Sequence, residues 1–217
     1  SIDWRAREDL SLLVDSGTSV AHCPSPFARY GHAMADFGRY YRAGVNLGFG
    51  TDVTPHNLIE EMRLAIILAR VMANNIKTTD AQMVFHAATV GGAKSLLRDD
   101  LGRLEKGAKA DLVMVDVTQP IMRPAHDPLK SLIYHGADRA VKTVFIDGKL
   151  VVDNGSVVHL DMSDAAGRLE IAQERMLKDV PNRDFLGREA KDITPLSLNL
   201  LNGRWLVASG LFWQDRK

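Results

Sequence analysis

The stretch VNLGFGTD, residues 45–52, decides the fold class of this chain. Its apolar run from Val45 to Gly50 reads as a strand buried on both faces, the pattern of parallel sheets. The run stops at Thr51-Asp52 and a Pro-containing loop. Asn57 then offers an N-cap for a long helix over residues 58–74, with Glu60 and Glu61 in a first turn where the helix dipole favours acids. Upstream the same alternation occurs. Leu10, Leu13 and Val14 share one face of a helix over residues 5–15 that ends at Gly17, and residues 18–22 (TSVAH) form a short buried strand stopped by Pro24. A loop follows, then an amphipathic helix over residues 34–42 closing on Gly44. Downstream, residues 79–97 read as a further helix capped by Thr79 or Asp80. Strand, helix, strand, helix, helix with apolar strands describes βα units around a parallel sheet, an α/β architecture.

From Gly102 onward the texture changes. Short β-branched runs at 112–115, 140–146, 150–152 and 157–160 are separated by Gly and Asp, and Asp147-Gly148 is a hairpin turn signal. Residues 163–178 read as a helix capped by Ser163 and Asp164, and the tail after Pro181 has no clear period. The expected organisation is a βα part over residues 1–97, a β-rich segment over 98–162, and a C-terminal helix and tail over 163–217.

The composition narrows the function classes. Lys plus Arg and Asp plus Glu both number 27 in 217 residues, so the formal net charge is zero. That balance supplies no basic footprint for nucleic acid or an anionic membrane. The longest apolar helix carries Glu60, Glu61, Arg63 and Arg70, which exclude it as a membrane span. A single cysteine, Cys23, makes no internal disulfide, so a reducing, cytoplasmic compartment is expected, with a small molecule as substrate.

Asp52 directly follows an apolar strand, where βα architectures place their ligand sites, and suits a metal ligand or general base. An ordinary turn or capping aspartate fits the same spacing. His22 ends the preceding strand and is either a hydrogen-bonded structural group or a second site residue. His56, four residues after Asp52, reaches the same pocket or simply enters the next helix. Cys23 beside His22 would face away from it, since adjacent strand side chains alternate, which argues against a cysteine–histidine pair. His86 reads as a structural residue within its helix.

Several segments in order resemble the amidohydrolase superfamily, in its deaminase and chlorohydrolase branch. They are AHCP at residues 21–24, GFGTD at 48–52, NLIEEMR at 57–63, LGRLEKGAKADLVMVD at 101–116, HDPLKSLIY at 126–134 and VKTVFIDGKLVVDNG at 141–155. The match covers roughly residues 5–160. The resemblance implies a (β/α)8 TIM barrel with a metal at its C-terminal mouth and a small β-sandwich beside it. This chain would hold strands 7 and 8 with their helices, plus part of the sandwich. Asp52 would then be a metal ligand and catalytic proton carrier, and His22 and His56 substrate-binding residues. The metal would be divalent, zinc or alternatively iron, lowering the pKa of its bound water toward 7 so that hydroxide attacks an electron-poor carbon. The loop Ser25-Pro26-Phe27-Ala28-Arg29-Tyr30 departs from the Ser-Asn of relatives, so the resemblance leaves the substrate open.

The resemblance implies further ligands, a His-x-His pair after strand 1 and a histidine after strand 5, with another after strand 6 in many members. No His-x-His occurs in this sequence and no histidine precedes His22. A TIM barrel takes about 250 residues. The expectation is therefore the C-terminal portion of a metal-dependent hydrolase acting on carbon–nitrogen bonds, with deamination of a nitrogen heterocycle as its reaction. Its expected partners are the N-terminal half of the same enzyme and further copies in a homo-oligomer. A dechlorinating relative is the nearest alternative. A non-catalytic remnant acting as an assembly unit is the alternative from another class, and a self-sufficient small enzyme built on Asp52, His22 and His56 comes last.

Overall fold

A computed structural model describes residues 9–197 and the strand residues 200–201, 204–207 and 210–212. The chain divides into two compact units, Ser1–His159 and Leu160–Lys217.

The first unit opens with α1 (Asp9–Ser16), closed by Gly17 at a positive φ of 65°. Residues 5–8 of the expected first helix lie outside the described residues. β1 (Val20–His22) is followed immediately by α2 (Pro24–Arg29), a single helical stretch where the sequence suggested only a loop. Pro24 explains the difference, because its fixed φ suits the first helical position and it has no N–H to leave unsatisfied. α3 (Phe37–Arg42) begins at Asp36, whose carboxylate accepts the Arg39 amide. β2 (Leu47–Phe49) lies parallel to β1, with Val20, Ala21 and His22 opposite Leu47, Gly48 and Phe49. Among the described residues these two strands form a sheet of their own.

α4 (Leu58–Ala73) starts where the capping signal placed it, the Asn57 side chain accepting the Glu60 amide at 3.1 Å. It buries Glu61, Met62, Ala65, Ile66 and Ala69, one continuous helical face. Asn74 ends it in the left-handed conformation that asparagine tolerates. The helix expected over residues 79–97 forms as one continuous stretch over 81–95, with a π-helical turn inside it. α5 (Ala81–His86), capped by Asp80, passes through a π-helical turn (Ala87–Gly91) into α6 (Gly92–Ser95). A Cβ on Gly91 would stand 2.0 Å from the Leu47 carbonyl oxygen, so the bare glycine lets this turn lie directly on β2. The core of the unit combines Val20, Met34, Phe37 and Tyr40 with Leu47, Met62, Ile66, Val84 and Ile133.

β3 (Leu112–Val115) begins an antiparallel sheet and is followed by α7 (Pro128–Ser131). β4 (Val141–Ile146), β5 (Lys149–Asp153) and β6 (Ser156–Val157) complete the order β3-β4-β5-β6. Asp147 and Gly148 both have positive φ, 51° and 75°, as the expected two-residue hairpin requires, and Asn154-Gly155 makes a second such turn. Arg63 of α4 donates to the Ile133 carbonyl at 2.7 Å, tying the long helix to the chain between β3 and β4.

In the second unit α8 (Met162–Arg183) runs five residues past its expected end, its first turn held by the Asp161 carboxylate, which accepts the Ser163 and Asp164 amides. α9 (Ala190–Ile193) follows. β7 (Leu200–Leu201), β8 (Arg204–Val207) and β9 (Gly210–Phe212) form a small antiparallel sheet within the tail. No helix among the described residues is long and apolar enough to cross a membrane.

Candidate active site

The ends of β1 and β2 and the loops after them hold every residue singled out for chemistry. Parallel pairing sets their relative positions: Phe49, not Asp52, stands opposite His22, so the aspartate lies three residues beyond the paired register. The Gly50 amide donates to the His22 carbonyl at 3.1 Å and continues the ladder one step past the last strand residue. Beyond Gly50 the chain leaves the sheet.

His22 is 7% exposed. Its ring lies 5.7 Å from the centroids of both Phe37 and Phe49. Burial pushes its pKa down from 6.5 to about 4, so the imidazole is neutral at pH 7. With Cys23, Pro24, Phe27, Met34 and Leu68 it lines a cavity of about 10 Å³. That is room for a water molecule, not for a ligand, whose pockets run to about 300–1,000 Å³.

Asp52 is exposed, its backbone holds a positive φ of 59°, and its carboxylate has no hydrogen-bond or ion-pair partner among the described residues. His56 belongs to the same loop and is also exposed. Its Nδ1 lies 2.8 Å from the Thr51 hydroxyl, so it folds back onto the residue next to Asp52. Asp52 and His56 thus share one solvent-facing loop while His22 sits in the packed layer beneath. Among the described residues no group of three or more His, Cys, Asp and Glu side chains could hold a metal ion. Asp52 fits such an ion as one ligand of several.

Cys23 is half-buried, and its thiol is pushed up from the ordinary range, first by burial and then by the Asp52 and Glu61 carboxylates. A thiol held protonated in this way is a poor nucleophile, which agrees with setting a cysteine–histidine pair aside. His86 is exposed at the end of α5, with its ring edge-on to Tyr41 at 5.6 Å.

The sequence places Glu61 only in a favourable first turn of its helix. In the structure it is 1% exposed, and its Oε2 accepts the Ser25 amide at 2.9 Å. The nearest sequence signal was the pair of acids after the Asn57 cap, but which of the two turns inward depends on packing.

A family model described as the amidohydrolase family matches residues 3–151, more than half of the chain. Among curated proteins, a 5-methylthioadenosine/S-adenosylhomocysteine deaminase of Desulforudis audaxviator is 34% identical over 177 residues, covering 79% of this chain and 41% of the relative. A 5'-deoxyadenosine deaminase of Methanosphaera stadtmanae is 29% identical over 177 residues, covering 80% and 41%. Among solved structures, an adenosine deaminase from Xanthomonas campestris with bound zinc superposes with a TM-score of 0.75 at 32% identity, covering 80% of this chain and 41% of that one. An atrazine chlorohydrolase from Arthrobacter aurescens, solved with zinc, gives 0.70 at 30% identity, covering 76% and 38%. The chain thus spans about two-fifths of the length of the relatives it matches. Its motifs, its parallel strand pair and the extent of the family match agree: the chain belongs to the amidohydrolase family.

Proposed function

We propose that this chain supplies the Asp52 edge of a metal-assisted hydrolytic site, and that the whole enzyme deaminates a nitrogen heterocycle of the adenine-nucleoside class. The observation that carries this reading is the exposed carboxylate of Asp52, three residues past β2, which has no hydrogen-bond or ion-pair partner among the described residues. The substrate class is supported by relatives named for methylthioadenosine and 5'-deoxyadenosine deamination. In this reading β1 and β2 are strands 7 and 8 of a (β/α)8 barrel, and the four-stranded antiparallel sheet is part of the β-sandwich.

A divalent metal would be held by Asp52 together with donors from outside this sequence, zinc being favoured by the solved neighbours and iron the alternative. When bound, it supplies Lewis acidity that brings the nucleophilic water's pKa toward 7. Asp52 takes a proton at its carboxylate as attack proceeds and gives it to the departing amine nitrogen. His56, from the exposed loop, stands on the substrate side. His22, packed against Phe37 and Phe49, supports the end of β1 as a neutral imidazole.

The test is to prepare the chain with and without an N-terminal amidohydrolase portion, then measure bound zinc, ammonia release from methylthioadenosine and adenosine, and sedimentation. The expected result is stoichiometric zinc and deamination only in the joined protein, which sediments as a homo-oligomer. Absence of both metal and activity in the joined protein overturns the reading. Dechlorination is the second reading, favoured by the chlorohydrolase neighbour. Chloride release from a chlorotriazine without deamination would select it.

A further inference from the structure

We propose that Glu61 is a positioning residue: with Arg29 it clamps α2 between α4 and the Asp52 loop, fixing the loops after β1 and β2 against each other. The inference rests on the reading that those two loops border the active mouth.

A helix of six residues such as α2 has too few internal hydrogen bonds to persist by itself. It also lacks the usual local cap, because Cys23 occupies the N-cap position and its side chain makes no capping hydrogen bond. Pro24 has no N–H, so the Ser25 amide is the first donor of the helix that needs an acceptor. Glu61 provides one from 36 positions along the chain, at 2.9 Å. The other end of α2 is tied as well: the Arg29 guanidinium donates to the Thr54 carbonyl at 3.1 Å, two residues beyond Asp52.

A place in the first turn of α4 accounts for an acid at position 60 or 61, but not for one that is 1% exposed. Taking a carboxylate out of water costs several kcal/mol unless hydrogen bonds compensate it. The exposed Glu60 satisfies the dipole argument without burial. What Glu61 gains by turning inward is the Ser25 amide. At 1% exposure it also cannot meet a substrate, which makes it a positioning residue and not a catalytic one.

The experiment is amide hydrogen exchange on the full chain for wild type, Glu61→Gln, Glu61→Met and Arg29→Met. Exchange is read residue by residue by NMR, where Ser25 gives an isolated signal between Pro24 and Pro26, which carry no amides. Glu61→Met keeps the volume and removes the acceptor. Ser25 should then exchange at least about tenfold faster, the loss expected for a hydrogen bond to a charged group. Val53 and Asn57 should accelerate with it, while Ile66 within α4 stays protected. Glu61→Gln retains an acceptor oxygen and should keep Ser25 within about twofold of wild type. Arg29→Met should release Val53 and Asn57 but leave Ser25 protected, and it tests the second tether even where Glu61→Met prevents folding. Unchanged Ser25 exchange in Glu61→Met, equal acceleration in Glu61→Gln, or an equal rise at Ile66 would overturn the clamp. None of these readouts needs turnover, so failure of the clamp and failure of the deaminase reading are separate results.

Discussion

His22 closes β1 and Asp52 follows β2, at the same end of the same parallel pair, yet their surroundings differ in every respect that matters for chemistry. The histidine lies under Phe37 and Phe49, neutral and 7% exposed. The aspartate is exposed, and its carboxylate has no hydrogen-bond or ion-pair partner among the described residues. One strand end has been absorbed into packing and the other left available. A place at a strand tip therefore does not by itself leave a side chain free for chemistry in a βα protein. His22 is still within the ladder, whereas Asp52 has left it.

The most direct way to break this contrast is to remove the available group. Asp52→Asn in the joined enzyme should lower kcat/KM by about 10³-fold, in the range of a lost general acid–base group. The same change should leave urea-unfolding midpoints nearly unmoved, as for other exposed positions. Activity within tenfold of wild type would show that the carboxylate is an ordinary turn residue.

The absorbed group should announce itself through pH. Burial holds the folded-state pKa of His22 at about 4, so the unfolded chain takes up the proton first. Its contribution is complete above pH 6.5 and is lost as pH falls toward 4, amounting to about 3 kcal/mol. Urea titrations at pH 7 and pH 4.5 should show the loss in wild type and a much smaller one in His22→Phe. A flat profile in wild type would place the imidazole in contact with water.

A smaller effect is expected where β2 meets its support. Gly91→Ala puts a methyl group into the Leu47 carbonyl and should destabilise the first unit by about 1–3 kcal/mol, measured by thermal unfolding. Smallest of all, His56→Ala removes only an exposed contact with Thr51 and should change stability by about 0.5 kcal/mol. A clear rise in KM in that variant would assign His56 to the substrate side.

The features legible in the sequence are those set by local backbone chemistry. Asn57 caps α4 and Asp80 caps α5, and Asp147-Gly148 turns the hairpin between β4 and β5. Each needs only a side chain and the few residues beside it. The order of the motifs was enough to name the family. What stayed illegible depends on partners far along the chain. The close approach of Gly91 to the Leu47 carbonyl joins residues 44 positions apart, and the inward turn of Glu61 answers to the Ser25 amide. The register that sets His22 against Phe49 is likewise a property of two strands, invisible in either alone. The tail after Pro181 gave no period because its strands have only two to four residues each, too short for alternation to register.

In the role proposed for Asp52, its positive φ sets stability and catalysis against each other at one position. Glycine adopts such a backbone without the Cβ conflict that an aspartate carries there, a difference of about 1 kcal/mol. Asp52→Gly should therefore melt higher than wild type while losing turnover. A screen that ranks variants of this protein by thermal tolerance alone would keep that substitution and discard the enzyme.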